Sequence, residues 1–515
     1  MSLERDPATN PARPCCAGAL IALAIAAAPL IGLVAYKAVV APRPFWAWLY
    51  DPEAIYFSSG NELLHGMAPS NTDNPGTPVQ VLSAGMLLIT GNHPARFDAF
   101  RRCGYGVGLL ATIGAMWLMQ RTLLWELPAS LQVAAMWIFF LAPTALERLT
   151  IWSPELFYLP VGAVLIGALW RCASTPSTWS AFAVGLALGL GCAVKLTFLA
   201  FVPAVVLALL PLKSSRRWGG LQRCVASLAG MCAGFVTMTL PVVAAYPQML
   251  AWAGRFAAAG YEGVETDAAP WELLFTNLSP AILHAKPWYL LILLGTGAVV
   301  AGLISSRALV TRLTRRQVAS LGIFAVVSLV FVHLLAYRTE SYRYLLPGGI
   351  GGVVIFALAV RTPAFSSRAI RWTATAAIAA LLGKQMLLDL EVHRAVCQGA
   401  TAVRQRIDAA IQARAKENPV VVYGWRAPAP SFALRIMDSR QLMTEQVESM
   451  YPNDGHYNPW SRYVALPRRA GDWDALVLSR EDWLSFPARR HARIVEEINH
   501  GQYSLLVIAR SADSQ

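Results

Sequence analysis

Roughly eleven apolar stretches, each about 16–22 residues long, follow one another through the first 390 residues, with short arginine clusters between them. A helix rises about 1.5 Å per residue, so most of these runs are long enough to cross a bilayer. They fall near residues 17–36, 103–120, 129–146, 153–170, 179–194, 196–212, 224–245, 287–304, 318–336, 345–360 and 372–389. Composition agrees: only 14% of the 515 residues are charged and 56% are hydrophobic, against about 25% charged in soluble domains. This excludes a disordered chain, a coiled coil and an ordinary soluble enzyme. The expected fold class is a polytopic α-helical membrane protein of about eleven transmembrane helices, carrying a small C-terminal extracytoplasmic α/β domain.

The basic residues set an orientation. Arg121, Arg171, the group Lys213/Arg216/Arg217/Arg223, the group Arg307/Arg312/Arg315/Arg316 and the group Arg361/Arg368/Arg371 fall on one side, with the N-terminus. The positive-inside rule makes that side cytoplasmic and puts the C-terminus outside. The formal net charge of +13 is explained by these clusters, and no nucleic-acid partner is expected. Acids do not set topology, yet nearly all of those in the membrane half map to the outer side, which places the chemistry there. Thr77–Thr90 is apolar but short for a span, so residues 41–102 read as one long outer loop with a juxtamembrane or re-entrant helix. The eight cysteines show no disulfide framework and no CxxC pattern.

Two domains are expected, a transmembrane unit over 1–390 and an extracytoplasmic α/β unit over 391–515. Residues 392–416 read as an amphipathic helix. Pro419–Tyr423, Ala475–Leu478 and Tyr503–Ile508 read as strands, and residues 486–499 as a helix.

The candidate chemistry lies at the outer ends of the spans. Asp51 and Glu53 flank Pro52 directly after the first span. One carboxylate there suits a general base, and a helix cap accounts for the pair equally well. The stretch NPGTPVQ, Asn74–Gln80, reads as a rigid turn into the short helix. Glu155, Lys195, Arg338, Glu340, Arg343 and Tyr344 cluster at three further outer ends. Ionisable groups at membrane depth are costly and are candidates for function, snorkelling to the interface being the alternative for each cation. Arg binds phosphate as a bidentate fork and Lys as a point charge.

Taken in order, an acid pair after the first helix, a Gly/Pro-rich turn, an outer Glu, a Lys-Thr hairpin and RYLLP at a late helix resemble the type-C membrane glycosyltransferases. That GT-C superfamily includes protein O-mannosyltransferases and aminoarabinose transferases. The resemblance covers about residues 17–390. It implies transfer of a sugar from a polyprenyl-phosphate carrier to a glycan, lipid or protein acceptor at the outer face of a bacterial inner membrane. It implies Asp51 as catalytic base and Glu53 as its partner, positioning the acceptor or a metal. Here the order is Asp-Pro-Glu rather than the adjacent Asp-Glu of some members, which leaves the division of roles open. A divalent metal is used in some branches and not in others; Asp51, Glu53 and Glu155 would be its ligands.

The corresponding expectation is inverting transfer. Asp51 takes the acceptor proton, and Lys195, Arg343 and in reserve Arg338 stabilise the leaving lipid phosphate. Asp73, Glu155, Glu340 and Tyr344 are expected to contact substrate. Arg96, Arg101 and Arg102 lie outside against the charge rule and are expected at lipid headgroups. The alternative is a transporter or flippase of an anionic lipid or lipid-linked glycan, which would show polar groups at both leaflets and repeat symmetry. A third reading is a non-catalytic assembly protein.

Overall fold

The structure is a computed structural model that describes residues 16–47, 51–71, 76–212, 218–259, 286–304, 314–336, 342–413, 419–424, 427–435, 438, 440–458, 463–466, 473–486, 492–500 and 503–510. Each of the eleven apolar stretches carries helix. Among the described residues six helices are long and apolar enough to cross a membrane by length and composition: Ala17–Val40, Pro94–Arg121, Pro154–Ser174, Gly219–Met238, Gln317–Leu334 and Arg368–Gln412. This is a multi-pass helical membrane protein.

Two of the helices, Thr178–Val194 and Gly219–Met238, touch backbone to backbone. Gly185 and Gly189 on one face Gly230 and Gly234 on the other, four residues apart on each helix. A Cβ at any of the four would overlap the partner's main chain around Phe182, Leu186, Ser227 or Met231. Apolar surface gives no drive to associate in lipid, so this close van der Waals fit is what holds such a pair. Gly185→Val is therefore expected to lower the thermal unfolding midpoint in detergent, whereas Gly114→Val, where a Cβ meets nothing within 4 Å, leaves it unchanged. Equal midpoints for the two variants would refute the packing argument.

After the first helix come a π-turn, Tyr36–Val40, and two helices, Asp51–Leu64 and Thr77–Thr90, before the chain returns at Phe97–Arg121. The two loop helices pack on one another at Gly60, where a Cβ would lie 2.9 Å from the main chain of Ser83 and Ala84. Gly76, at φ +51°, caps the second of them, and Pro78 follows in its first turn, as the Gly/Pro pattern predicts.

The amphipathic helix expected over 392–416 proves to be the second half of one continuous 45-residue helix, Arg368–Gln412. Beyond it lies a six-stranded mixed sheet in the order β3-β2-β1-β4-β6-β5, with β1 Val421–Tyr423, β2 Asp454–Asn458, β3 Tyr463–Ala465, β4 Ala475–Ser479, β5 Ala492–His500 and β6 Tyr503–Arg510. Strands β2 and β4 run parallel to β1. Alternation sorts the side chains: Val421, Tyr423, Ala475, Val477, Leu505 and Val507 pack with Val403, Ile407 and Ile411 of the long helix. Val422, Leu476, Leu478, Leu506 and Ile508 pack on the opposite face with Tyr457, Trp473 and Phe486.

The three expected strands are present, but the helix expected over 486–499 is not. Ala492–His500 is edge strand β5, paired antiparallel with β6, and the helix there is the earlier Arg480–Ser485. Ile494 and Ile498 are four apart, a spacing that fits either period. A register shift between Ile494 and Glu496 then leaves Ile498 buried and Ile494 exposed.

Candidate functional site

Helix Asp51–Leu64 opens with Asp51 and Pro52. Proline suits a first helical turn, where its missing N–H costs nothing, and the helix N-terminus favours an anion at that position. One residue on, Glu53 is 3% exposed. Both of its oxygens are occupied. Arg101 Nε donates to Oε2 at 2.8 Å and Arg43 Nη2 approaches the same oxygen at 3.4 Å. The Tyr105 hydroxyl and the Trp152 backbone N–H donate to Oε1 at 2.9 and 3.2 Å. Arg101 also donates to Asp98 Oδ1 and to the Arg43 carbonyl, each at 3.0 Å. So Arg101 is buried on acids and does not face lipid headgroups as expected from the charge rule.

Burial by itself would raise the Glu53 carboxyl. Arg101, Arg43, the Tyr105 hydroxyl and the Trp152 amide outweigh it and hold Glu53 below the usual carboxylate range. The sign is that of a depressed acid: Glu53 contributes stability in full above its unfolded value, and loses it as pH falls through the lower folded value. Amide exchange in helix Asp51–Leu64 is thus expected to stay slow down to about pH 4 and to accelerate below it. Unchanged protection at pH 2 would contradict this.

The same anchor extends sideways. The Trp152 indole N–H donates to Ser83 Oγ at 2.8 Å, tying helix Thr77–Thr90 to the cluster. Gly104 lets that indole close: a Cβ there would sit 2.8 Å from Trp152 Cε3. Phe100 and Phe157 meet it edge to face, and Phe57 packs edge to face on Phe100 and Phe97 behind them.

Three residues beyond Trp152, Glu155 lies in the short turn Pro154–Phe157 and is buried. It forms an ion pair with Lys195, which ends helix Thr178–Val194 in an extended conformation at φ −159° and ψ 133°. Lys195 is buried as well, with Nζ 5.5 Å from the centre of the Tyr344 ring. Beside them the Tyr158 hydroxyl and Thr197 Oγ1 are hydrogen-bonded at 2.6 Å. The structure thus brings three expected site residues, Glu155, Lys195 and Tyr344, into one cluster, and the WSPE segment links it to the Glu53 cluster. Asp51 and Arg343 are located by their backbone, at the head of helix Asp51–Leu64 and in the turn Tyr342–Leu345. Asp73, Arg338 and Glu340 lie outside the described residues.

As a test for a divalent metal, Glu53 accepts from four donors and Glu155 is paired with a lysine. Among the described residues no three His, Cys, Asp or Glu side chains come together to hold a metal ion. These two carboxylates do not fit a shared metal.

The C-terminal region closes over this end of the bundle. Leu434, Met443 and Val447 belong to the same hydrophobic cluster as the membrane helices, and helix Pro430–Arg435 packs on helix Asp51–Leu64. Asp438 accepts from the Met443 and Leu442 amides at 2.7 and 3.0 Å. Burial, with the nearby Glu62 adding to it, nevertheless raises its carboxyl. Glu62 in turn accepts from the Ser70 amide and hydroxyl at 2.7 and 2.6 Å.

Two solved structures are similar in fold to this chain over nearly its whole length. One is ArnT from Cupriavidus metallidurans bound to undecaprenyl phosphate: 13% identity, covering 95% of this chain and 97% of that one, at a TM-score of 0.53. The other is the same protein in the apo state: 15% identity, 97% and 99% coverage, at a TM-score of 0.51. The chain has the GT-C fold. No protein-family model matches it, and no curated protein does either.

Within this GT-C fold, Arg43, Tyr105, Trp152, Ser83, Tyr158 and Thr197 are the contributors that sequence reasoning missed. Tyr158 and Thr197 had a signal, since each lies two or three residues from a charged candidate. Trp152 acts on Glu53 through its main chain, which no residue type reveals.

Proposed function

We propose that this protein is an inverting membrane glycosyltransferase that moves a sugar from a polyprenyl-phosphate carrier to an acceptor at the extracytoplasmic face. The observation that carries the reading is the pairing of two preorganised elements at one end of a GT-C bundle. One is a helix headed by Asp51 and pinned through Glu53; the other is the buried Lys195 beside Tyr344 and Glu155. The undecaprenyl phosphate bound by the similar ArnT structure supports a lipid-phosphate donor.

In this reading Asp51 takes the proton of an acceptor hydroxyl as its oxygen attacks the anomeric carbon. A new glycosidic bond forms, the bond from that carbon to the carrier phosphate breaks, and the lipid phosphate leaves with the electron pair. That leaving group is already a stable anion. It needs cations rather than an acid, and Lys195 with Arg343 and Arg338 supply them. Glu155 holds Lys195 charged and aimed; Glu53 positions the base helix. Asp73, Glu340 and Tyr344 contact the sugar or the acceptor.

The test is transfer of labelled sugar from a panel of polyprenyl-phosphate donors to envelope extract by the purified protein in lipid. Lys195→Ala is expected to lower transfer by about 10²–10³-fold, as loss of one preorganised charge stabiliser does. Label that crosses sealed vesicles without reaching any acceptor would overturn the reading and make the protein a transporter.

A further inference from the structure

A cavity of about 50 Å³ lies where the π-turn after the first helix meets the start of Phe97–Arg121 and the middle of the long helix. Its walls carry both signs of charge. Lys37, in the π-turn, is paired with Asp389 at 2.5 Å. Arg101 is spent on Glu53 and Asp98. Two cations are not used up. Arg43 only shares, at 3.4 Å, the Glu53 oxygen that Arg101 holds. Arg102 is exposed at the rim and has no ion-pair partner among the described residues. Facing them is an acceptor without a donor: Glu147 lines the cavity, and its Oε1 is buried with no hydrogen bond. A buried carboxylate oxygen left this way is costly until something donates to it.

The cavity opens beside exposed apolar side chains. Val39 and Val40 on the π-turn are 72% and 70% exposed, and Val392 on the long helix, itself part of the cavity wall, is 58% exposed. Such a strip suits acyl chains in a bilayer. Two spare guanidinium groups suit a phosphate, and the orphan Glu147 oxygen suits an ammonium that can donate.

We propose that this cavity binds the headgroup of a phospholipid carrying a phosphate and a primary amine, with its acyl chains along Val39, Val40 and Val392. The site is separate from the Lys195 cluster and does not depend on the transfer reaction. Through Arg43, Arg101 and Tyr105 it borders Glu53, so an occupant sits one hydrogen bond away from the anchor of the Asp51 helix.

The test uses the full chain in detergent with phosphatidylethanolamine, phosphatidylcholine or phosphatidylglycerol, reading bound lipid by native mass spectrometry and protection by the thermal midpoint. Phosphatidylethanolamine is expected to bind at least about tenfold more tightly than phosphatidylcholine, whose quaternary amine cannot donate a hydrogen bond. Glu147→Gln should remove that discrimination, and Arg102→Ala should weaken all three lipids alike. Lys195→Ala should leave all three unchanged, which separates this site from the donor site. Equal binding of the first two lipids to the wild type, or discrimination that survives Glu147→Gln, overturns the proposal. So does inorganic phosphate protecting as well as the lipid, since the ligand would then be a free anion.

Discussion

Asp51→Asn is expected to lower sugar transfer by about 10²–10⁴-fold, the contribution of a positioned general base, with at most a small change in the thermal unfolding midpoint. The substitution keeps size and shape and removes the capacity to take a proton, together with a charge that contributes about 0.3–1 kcal/mol at a helix start. Asp51 begins helix Asp51–Leu64, and asparagine is as good a residue as aspartate at a helix start. Folding therefore changes little, and the two readouts separate. A folded variant that transfers sugar at the wild-type rate would remove Asp51 from the mechanism.

Glu53→Ala should behave in the opposite way, with its primary effect on stability. It strips the carboxylate from Arg101, which is 4% exposed, and from Arg43. Breaking a buried ion pair from one side leaves the other charge uncompensated and costs about 3–5 kcal/mol. Helix Asp51–Leu64 would lose its tie to Trp152 and Tyr105, so activity should fall as a consequence of a loosened loop. Adding Arg101→Met removes the stranded charge, and the double variant is expected to recover much of the lost stability. Thermal unfolding of the wild type, both single variants and the double variant gives the coupling. Strictly additive effects would show that Glu53 and Arg101 do not act as a pair.

The two outcomes follow from how each residue could be read in the chain. The helices were legible because each apolar run is long enough for several helical turns, and six of the described helices are long and apolar enough to cross a bilayer. Strands β1, β4 and β6 were legible as apolar runs of four to six residues, too short for a span, in a region that is otherwise polar, and β1 is also β-branched and ends at Gly424. Strand β5 was not, because Ile494 and Ile498 satisfy two periods at once and only pairing with β6 decides between them. At the site, residue types and their shared end of the bundle pointed to Glu155, Lys195 and Tyr344. Their mutual contact did not show, since Glu155 and Lys195 are 40 positions apart and nothing local reports the pairing. Arg101 was misread for the same reason. A charge rule counts arginines at a membrane edge but cannot see that Glu53, 48 residues earlier, has buried this one.

The helix Arg368–Gln412 has a further consequence. At about 1.5 Å per residue its 45 residues extend about 67 Å without a break. Near its middle, His393 donates to the Ala41 carbonyl at 2.8 Å and Arg394 to the Tyr36 hydroxyl at 3.0 Å. Farther on, Val403, Ile407 and Ile411 carry the sheet. The angular setting of the sheet about this axis is therefore written into the residue count between Arg394 and Val403. One residue inserted there would swing the whole sheet by about 100° and lift Leu434 and Met443 away from the Asp51 helix. Seven residues would restore the bearing but leave it about 10 Å too high. Along that stretch the number of residues is constrained even where, as at the exposed Thr401, their identity is not.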